Sequence, residues 1–190
     1  MSLPICAEDC TSILAGMAFD ECAPIWNRGE ISTVYLFNIG QPVIANPRTD
    51  PAGFIAEMAL RVSNTSANVD AIRKLTVIGE KAEPEKTAIK MSMDREIVTS
   101  KKHSIVFEID ETSQENRDAQ RQMECGNKFL IMYEVGDWIY GGADGLNNGI
   151  ECSITADIIT PKDRTALELI KCTAVWNNKF SPESCLNPLV

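Results

Sequence analysis

Apolar residues fall at every second position over much of this chain, the spacing of a strand with one face in a core and the other in water. The clearest run covers residues 150–158, where Ile150, Cys152, Ile154, Ala156 and Ile158 alternate with Glu151, Ser153, Thr155 and Asp157. Ile89, Met91 and Met93 repeat the pattern, as do Ile105, Phe107 and Ile109, and these two runs read as antiparallel neighbours. Residues 31–38 and 129–135 differ, being apolar on both faces. The first is rich in β-branched and aromatic residues, which predicts a strand covered on both sides. Residues 72–78, 138–140 and 166–176 complete the predicted strands.

Helix signals gather over residues 113–125. Thr112 and Glu115 have the spacing of a capping box, in which each side chain satisfies an otherwise unpaired backbone donor, and Gly126 is placed to end the helix in a left-handed turn. Ala119 and Met123 share one face and nearly all else is polar, so this helix is expected to flank a sheet. Residues 40–53, with Pro42, Pro47 and Pro51, read as a turn-rich connection; residues 54–62 fit neither the helical nor the strand period. Residues 141–149 read as a glycine-rich hairpin loop and residues 161–164 as a turn. The ends hold little core-forming material and read as an N-terminal arm, residues 1–28, and a C-terminal tail, residues 177–190, around a β-rich body, residues 29–176. The expected fold class is mainly β (α+β), an antiparallel β-sandwich or partial barrel with one flanking helix and extended terminal arms.

A length of 190 residues suits one hydrophobic core, and 44% hydrophobic with 24% charged residues is an ordinary globular balance. Eighteen Lys and Arg against 27 Asp and Glu leave a net charge of −9, which opposes an electrostatic grip on nucleic acid or on an anionic membrane. That charge is concentrated. Residues 1–27 hold Glu8, Asp9, Asp20 and Glu21 with no base, and residues 129–161 hold Glu134, Asp137, Asp144, Glu151 and Asp157 with no base; the remainder of the chain is balanced. The longest uncharged run, residues 31–47, contains Asn38, Gln41, Pro42, Asn46 and Pro47 and does not make a bilayer helix. The first base is Arg28, so the start lacks the pattern of a secretory signal, and the chain is expected in the cytoplasm where it is made.

Seven cysteines, an odd number scattered through a chain of this length, read as reduced thiols. Cys6, Cys10 and Cys22 recruit zinc only if a fourth ligand comes from elsewhere, and whether they bind metal stays open; no cofactor is expected. His103 is the one histidine, so any Ser-His-acid or Cys-His mechanism must use it. It reads as a strand-end residue beside Lys101 and Lys102. No phosphate-binding glycine loop is present, and Asp110 and Glu111, adjacent on a strand, point to opposite faces. The expectation is a protein that is not an enzyme, with no catalytic or metal residues.

A cysteine-bearing arm, a β-rich body, one peripheral helix between strand groups and a polar tail together resemble the phage tail tube proteins. The segment Gly29-Glu-Ile-Ser-Thr-Val-Tyr-Leu-Phe-Asn38, after a short leader, is similar to the opening of small virion proteins from phages of Bacteroidetes. The resemblance covers the order of elements along most of the chain, and residues 54–68 depart from it. It implies a homo-oligomer of stacked hexameric rings in the virion tail, assembled in the host cytoplasm with other tail proteins, around a bore through which DNA passes without specific binding. The charge pattern agrees, because a wall poor in Lys and Arg does not hold phosphates. Glu151, Ser153, Thr155 and Asp157 are accordingly expected to line the channel, and Trp26, Trp176, Phe180 and Leu186 to anchor on an adjoining subunit. The alternatives are another virion protein (a head-to-tail connector, a decoration or an internal protein) and a small β-barrel that binds a ligand in an enclosed apolar pocket.

Overall fold

The computed structural model describes residues 29–64, 70–92, 95–141, 149–162 and 167–189. The predicted N-terminal arm with Cys6, Cys10, Cys22 and Trp26, the tip of the glycine-rich loop, Met93 and much of the 161–164 turn lie outside them.

The alternating and doubly apolar runs become strands of one antiparallel sheet. They are β1 (Ile31–Asn38), β2 (Arg73–Lys81), β3 (Glu85–Ser92), β4 (Arg95–Ile109), β5 (Lys128–Val135), β6 (Trp138–Tyr140), β7 (Ile150–Ile159), β8 (Leu169–Asn178) and β9 (Ser184–Leu186). Six of them run in the order β1-β2-β4-β8-β7-β5, and β1 pairs with β5 from Ile31↔Val135 to Asn38↔Phe129, so the sheet closes into a barrel. Closure removes the open edges that a sandwich would have to protect. The interior is filled by inward residues of all six strands, including Val34, Val77, Phe107, Ile131, Ile154 and Ile170, each buried. Gly79 allows the β2–β4 approach, since a Cβ there would stand 2.8 Å from the Phe107 Cβ.

Among the described residues two helices, not one, flank the barrel. Helix α1 (Pro51–Val62) occupies the end of the predicted loop and the stretch that matched neither period. Asp50 caps it by accepting from the Gly53 N–H at 3.0 Å, and Pro51 fills the first turn, where a missing N–H costs nothing. Phe54 and Met58 are its buried residues, packed with Tyr35 and Phe37 of β1 and Leu130 and Met132 of β5 in a second core outside the barrel. The expected double cover on residues 31–38 is thus the barrel interior on one side and α1 on the other.

Helix α2 (Gln114–Glu124) lies where the sequence places it, with Gly126 at φ +76° beyond its end. Its cap is Ser113 rather than Thr112: the Ser113 hydroxyl accepts from the Asn116 N–H at 3.4 Å. The Thr112 carbonyl instead accepts from Arg117 Nε at 3.2 Å. Met123 enters the barrel core and Gln120 Nε2 donates to the Ala156 carbonyl at 3.0 Å, so α2 stops one end of the barrel.

The predicted C-terminal tail is also redrawn. β8 continues through Asn178, and β9 adds to β6 with Ile139↔Cys185 at its centre. The Asn187 amide donates to the buried Glu134 carboxylate at 2.7 Å, and the Asn187 N–H to the Asp137 carbonyl at 2.8 Å. These bonds tie the described part of residues 177–190 to its own domain, because short polar segments with Pro at both ends still hold when a sheet edge supplies their backbone partners.

Candidate functional site

The outer face of β7 carries Glu151, Ser153, Thr155 and Asp157, all four exposed, while Ile150, Cys152, Ile154 and Ala156 point inward. The alternation stops at the strand's end, where Ile158 is 36% exposed. This face is not free of bases. Lys128 of β5 bonds Glu151 at 2.6 Å, and β8 brings Lys171 directly opposite Asp157. Lys171 also lies 3.8 Å from Glu108 of β4. The base-free segment of the sequence therefore becomes a mixed surface in space, because sheet neighbours come from other strands. The Glu151 carboxylate holds the Lys128 ammonium above its ordinary pKa.

Where β7 and β8 part, an open groove of about 540 Å³ lies between Glu151 and Ser153 on one side and Trp176, Asn178 and Phe180 on the other. The β7–β8 ladder begins at Ser153↔Val175, so the strand ends diverge here. The groove offers little chemistry. Cys152 faces the core and burial pushes its thiol up to about 12, leaving it protonated; Cys172 is raised to about 12 for the same reason.

His103 is not at a strand end, since β4 starts at Arg95. It is fully buried on the barrel's inward face, opposite Trp176, and the two rings stack with centroids 5.4 Å apart and planes 9° from parallel. Neither ring nitrogen has a hydrogen-bond partner among the described residues. Burial, then the Lys81 charge, lowers its pKa. Fully buried and stacked on Trp176, the imidazole packs as a core ring.

The three expected anchors among the described residues are dispersed. Trp26 lies outside the described residues. Trp176 is 6% exposed and packed in the barrel's own core, which corrects its assignment: an indole stacked inside its own domain shows only an edge, at the groove. Phe180 is half-buried beside the groove, with Lys179 Nζ 5.5 Å from its ring centroid. Leu186 is 64% exposed on β9 and is free for contact.

A buried polar cluster escaped the sequence reading. Tyr35 Oη donates to Glu134 Oε1 at 2.8 Å, and the Asn187 amide shares that oxygen. Burial and then the Glu134 carboxylate drive the Tyr35 phenol far above its ordinary pKa. The cluster joins β1, β5 and the C-terminal segment, and its members are 99 and 53 residues apart in sequence.

Among the described residues no three His, Cys, Asp or Glu side chains are grouped to hold a metal ion, and no helix is long and apolar enough to cross a membrane. No protein-family model matches the chain, and no curated protein matches it.

Proposed function

We propose that this chain is a self-assembling structural subunit of the tail-tube kind, closing side by side into rings that stack around a bore in a virion tail. The observation that carries this reading is the β3–β4 hairpin. β8 reaches along β4 only as far as Lys101 and β2 pairs only with Ile105–Glu108, so residues 95–100 are held by β3 alone. Six residues of strand reach about 20 Å beyond the barrel. An isolated two-stranded ribbon is marginal in water, and one carrying exposed Ile89 and Met91 is suited to a neighbouring surface.

Two further features support the reading. The barrel interior is packed with side chains, whereas the rival β-barrel function requires an enclosed lumen for its ligand. The β7 face is uncovered by either helix, and its neighbouring lysines are engaged by Glu151 and Glu108. Glu151, Asp157 and Glu108 outnumber Lys128 and Lys171 here, so Glu151, Ser153, Thr155 and Asp157 suit a wall that DNA slides past, by an excess of acid rather than by a lack of bases. Other tail proteins would meet the tube at its ends.

Negative-stain microscopy of the purified chain over a concentration series tests the proposal. Rings or tubes with a central stain-filled bore are expected. A particle that stays monomeric at millimolar concentration overturns it.

A further inference from the structure

Helix α1 is built with its polar residues turned away from water. Its exposed residues are Pro51, Ala52, Ile55, Ala56, Ala59 and Leu60, without one charge or hydrogen-bonding side chain among them. Its two charged residues are consumed by the adjoining loop. Glu57 accepts from the Ile44 N–H at 2.9 Å and the Ala45 N–H at 3.2 Å. Arg61 donates to the carbonyls of Asp70, Pro42 and Gln41 at 2.7, 3.0 and 2.8 Å and pairs with Glu57 at 3.2 Å. Leu60 is 73% exposed, and Ile44, on the same loop, 86%. An ordinary surface helix shows water its charged side; this one shows water a ridge of small alanines between two large aliphatic residues.

The same chain carries a second unpartnered apolar face. On the projecting hairpin, Ile89 and Met91 share one side, 55% and 59% exposed, and Ile97 lies directly opposite Ile89. The barrel order puts these two faces on opposite walls. α1 rests on β1 and β5, while the hairpin grows from β4, three strands from β5 in either direction. The hairpin therefore leaves the barrel on the side away from its own α1. Two unlike apolar faces on opposite walls define a head-to-tail contact, which closes into a ring or runs on as a filament.

We propose that the hairpin of one copy, through Ile89, Met91 and Ile97, docks across α1 of the next copy, over Ile55 and Leu60 with the alanines allowing close approach. The inference rests on the assembly reading above and names the surfaces that accomplish it. A second copy is the occupant that fits, since each face supplies the apolar complement of the other at equal stoichiometry. A net charge of −9 disfavours an anionic membrane as the cover.

The test uses the full-length chain and two variants, Leu60→Glu and Ile89→Glu, in sedimentation velocity with thermal melts of the dilute protein. Both side chains are largely exposed, so melting of the monomer is expected to be unchanged. Each variant alone should need about 10–100-fold higher concentration to associate than the unmodified chain. Mixed in equal amounts, they should form dimers and stop, because each retains the one face the other has lost. Dimers of either variant alone would mean like faces meet, and would overturn the proposal. So would assembly of both variants as readily as the parent, which leaves the ring reading standing, whereas a parent that never assembles removes both. A Leu60→Glu monomer with a lowered melting temperature assigns the α1 face to this chain's own residues 1–28. Flotation of the parent with phosphatidylcholine vesicles, lost in Leu60→Glu, assigns it to lipid. Either result overturns the proposal.

Discussion

Helix α2 turns Met123 and Gln120 toward the barrel and gives water Gln114, Glu115, Asp118, Arg121, Gln122 and Glu124. Helix α1 does nearly the reverse, burying Phe54 and Met58, engaging Glu57 and Arg61 in its loop, and exposing only apolar residues. Both are capped, both pack on the same barrel, and both are of ordinary length. The difference lies in what the outer side meets. A helix finished in charge is finished against water, whereas a helix finished in alanine and leucine is stable in its own chain yet incomplete at its surface.

The sharpest way to break this contrast is to compare the inner and outer sides of α1 itself. Replacing Phe54, fully buried at the centre of the outer core, with Ala should lower unfolding free energy by about 3–5 kcal/mol, through lost burial and the cavity left behind. Leu60→Ala, on the exposed side, should stay within about 0.5 kcal/mol in the monomer. Urea unfolding of dilute protein measures both. A large cost at Leu60 would mean the outer side is already covered by its own chain, and the two helices would then be alike.

A smaller effect separates the arginines of the two helices. Arg61, with a side chain 10% exposed, satisfies three loop carbonyls, so Arg61→Ala should cost about 2–3 kcal/mol by orphaning them and freeing Glu57. Arg121 is exposed, and Arg121→Ala should change stability by no more than about 0.5 kcal/mol. Equal costs at the two sites would show that the charge on α1 is as dispensable as that on α2.

The reason one helix was legible in sequence and the other was not follows from the same contrast. α2 has a polar stretch with Met123 at its inner face and Gly126 beyond its end, so period and stop signal agree. In α1, Phe54 and Met58 make the buried side apolar and Ala52, Ile55, Ala59 and Leu60 the exposed side, and a periodic signal weakens when both sides are apolar. The usable signal was Asp50-Pro51, a cap followed by a first-turn proline. Strand β7 was legible because Ile150, Cys152, Ile154 and Ala156 see only the core. Barrel closure was not, since β1 meets β5 about a hundred residues away and neither strand encodes its partner. The lysines beside Glu151 and Asp157 escaped for that reason too: they are neighbours across a ladder, not along the chain. Trp176 shows the remaining limit, because an aromatic residue near a polar tail reads alike whether its ring enters its own core or a neighbour's.

The contrast extends to the two ends of the barrel. One end is stopped by α2 with Met123; the other holds the His103–Trp176 stack, where an imidazole is buried without a hydrogen-bond partner among the described residues. Burial, then the Lys81 charge and, to a smaller extent, the Lys101 charge set its folded pKa below the ordinary value of 6.5, opposed by the nearby backbone of Asn178 and Phe180, which lies outside hydrogen-bond geometry. The unfolded chain therefore takes up a proton in a range where the folded chain does not. Stability from this site is complete above about pH 6.5 and declines as pH falls from there toward the folded pKa, by no more than about 1.4 kcal/mol per pH unit for one proton. His103→Phe keeps a ring against Trp176 and removes the titration. Unfolding free energies between pH 5 and 7 should converge for parent and variant at the acid end relative to their separation at neutral pH if Phe packs less well, or diverge in the variant's favour if it packs equally. In both cases the difference between the two curves must slope in one direction, with the variant gaining as pH falls. Parallel curves would mean that His103 is protonated equally in the folded and unfolded chains, which a fully buried imidazole with a lowered pKa does not allow.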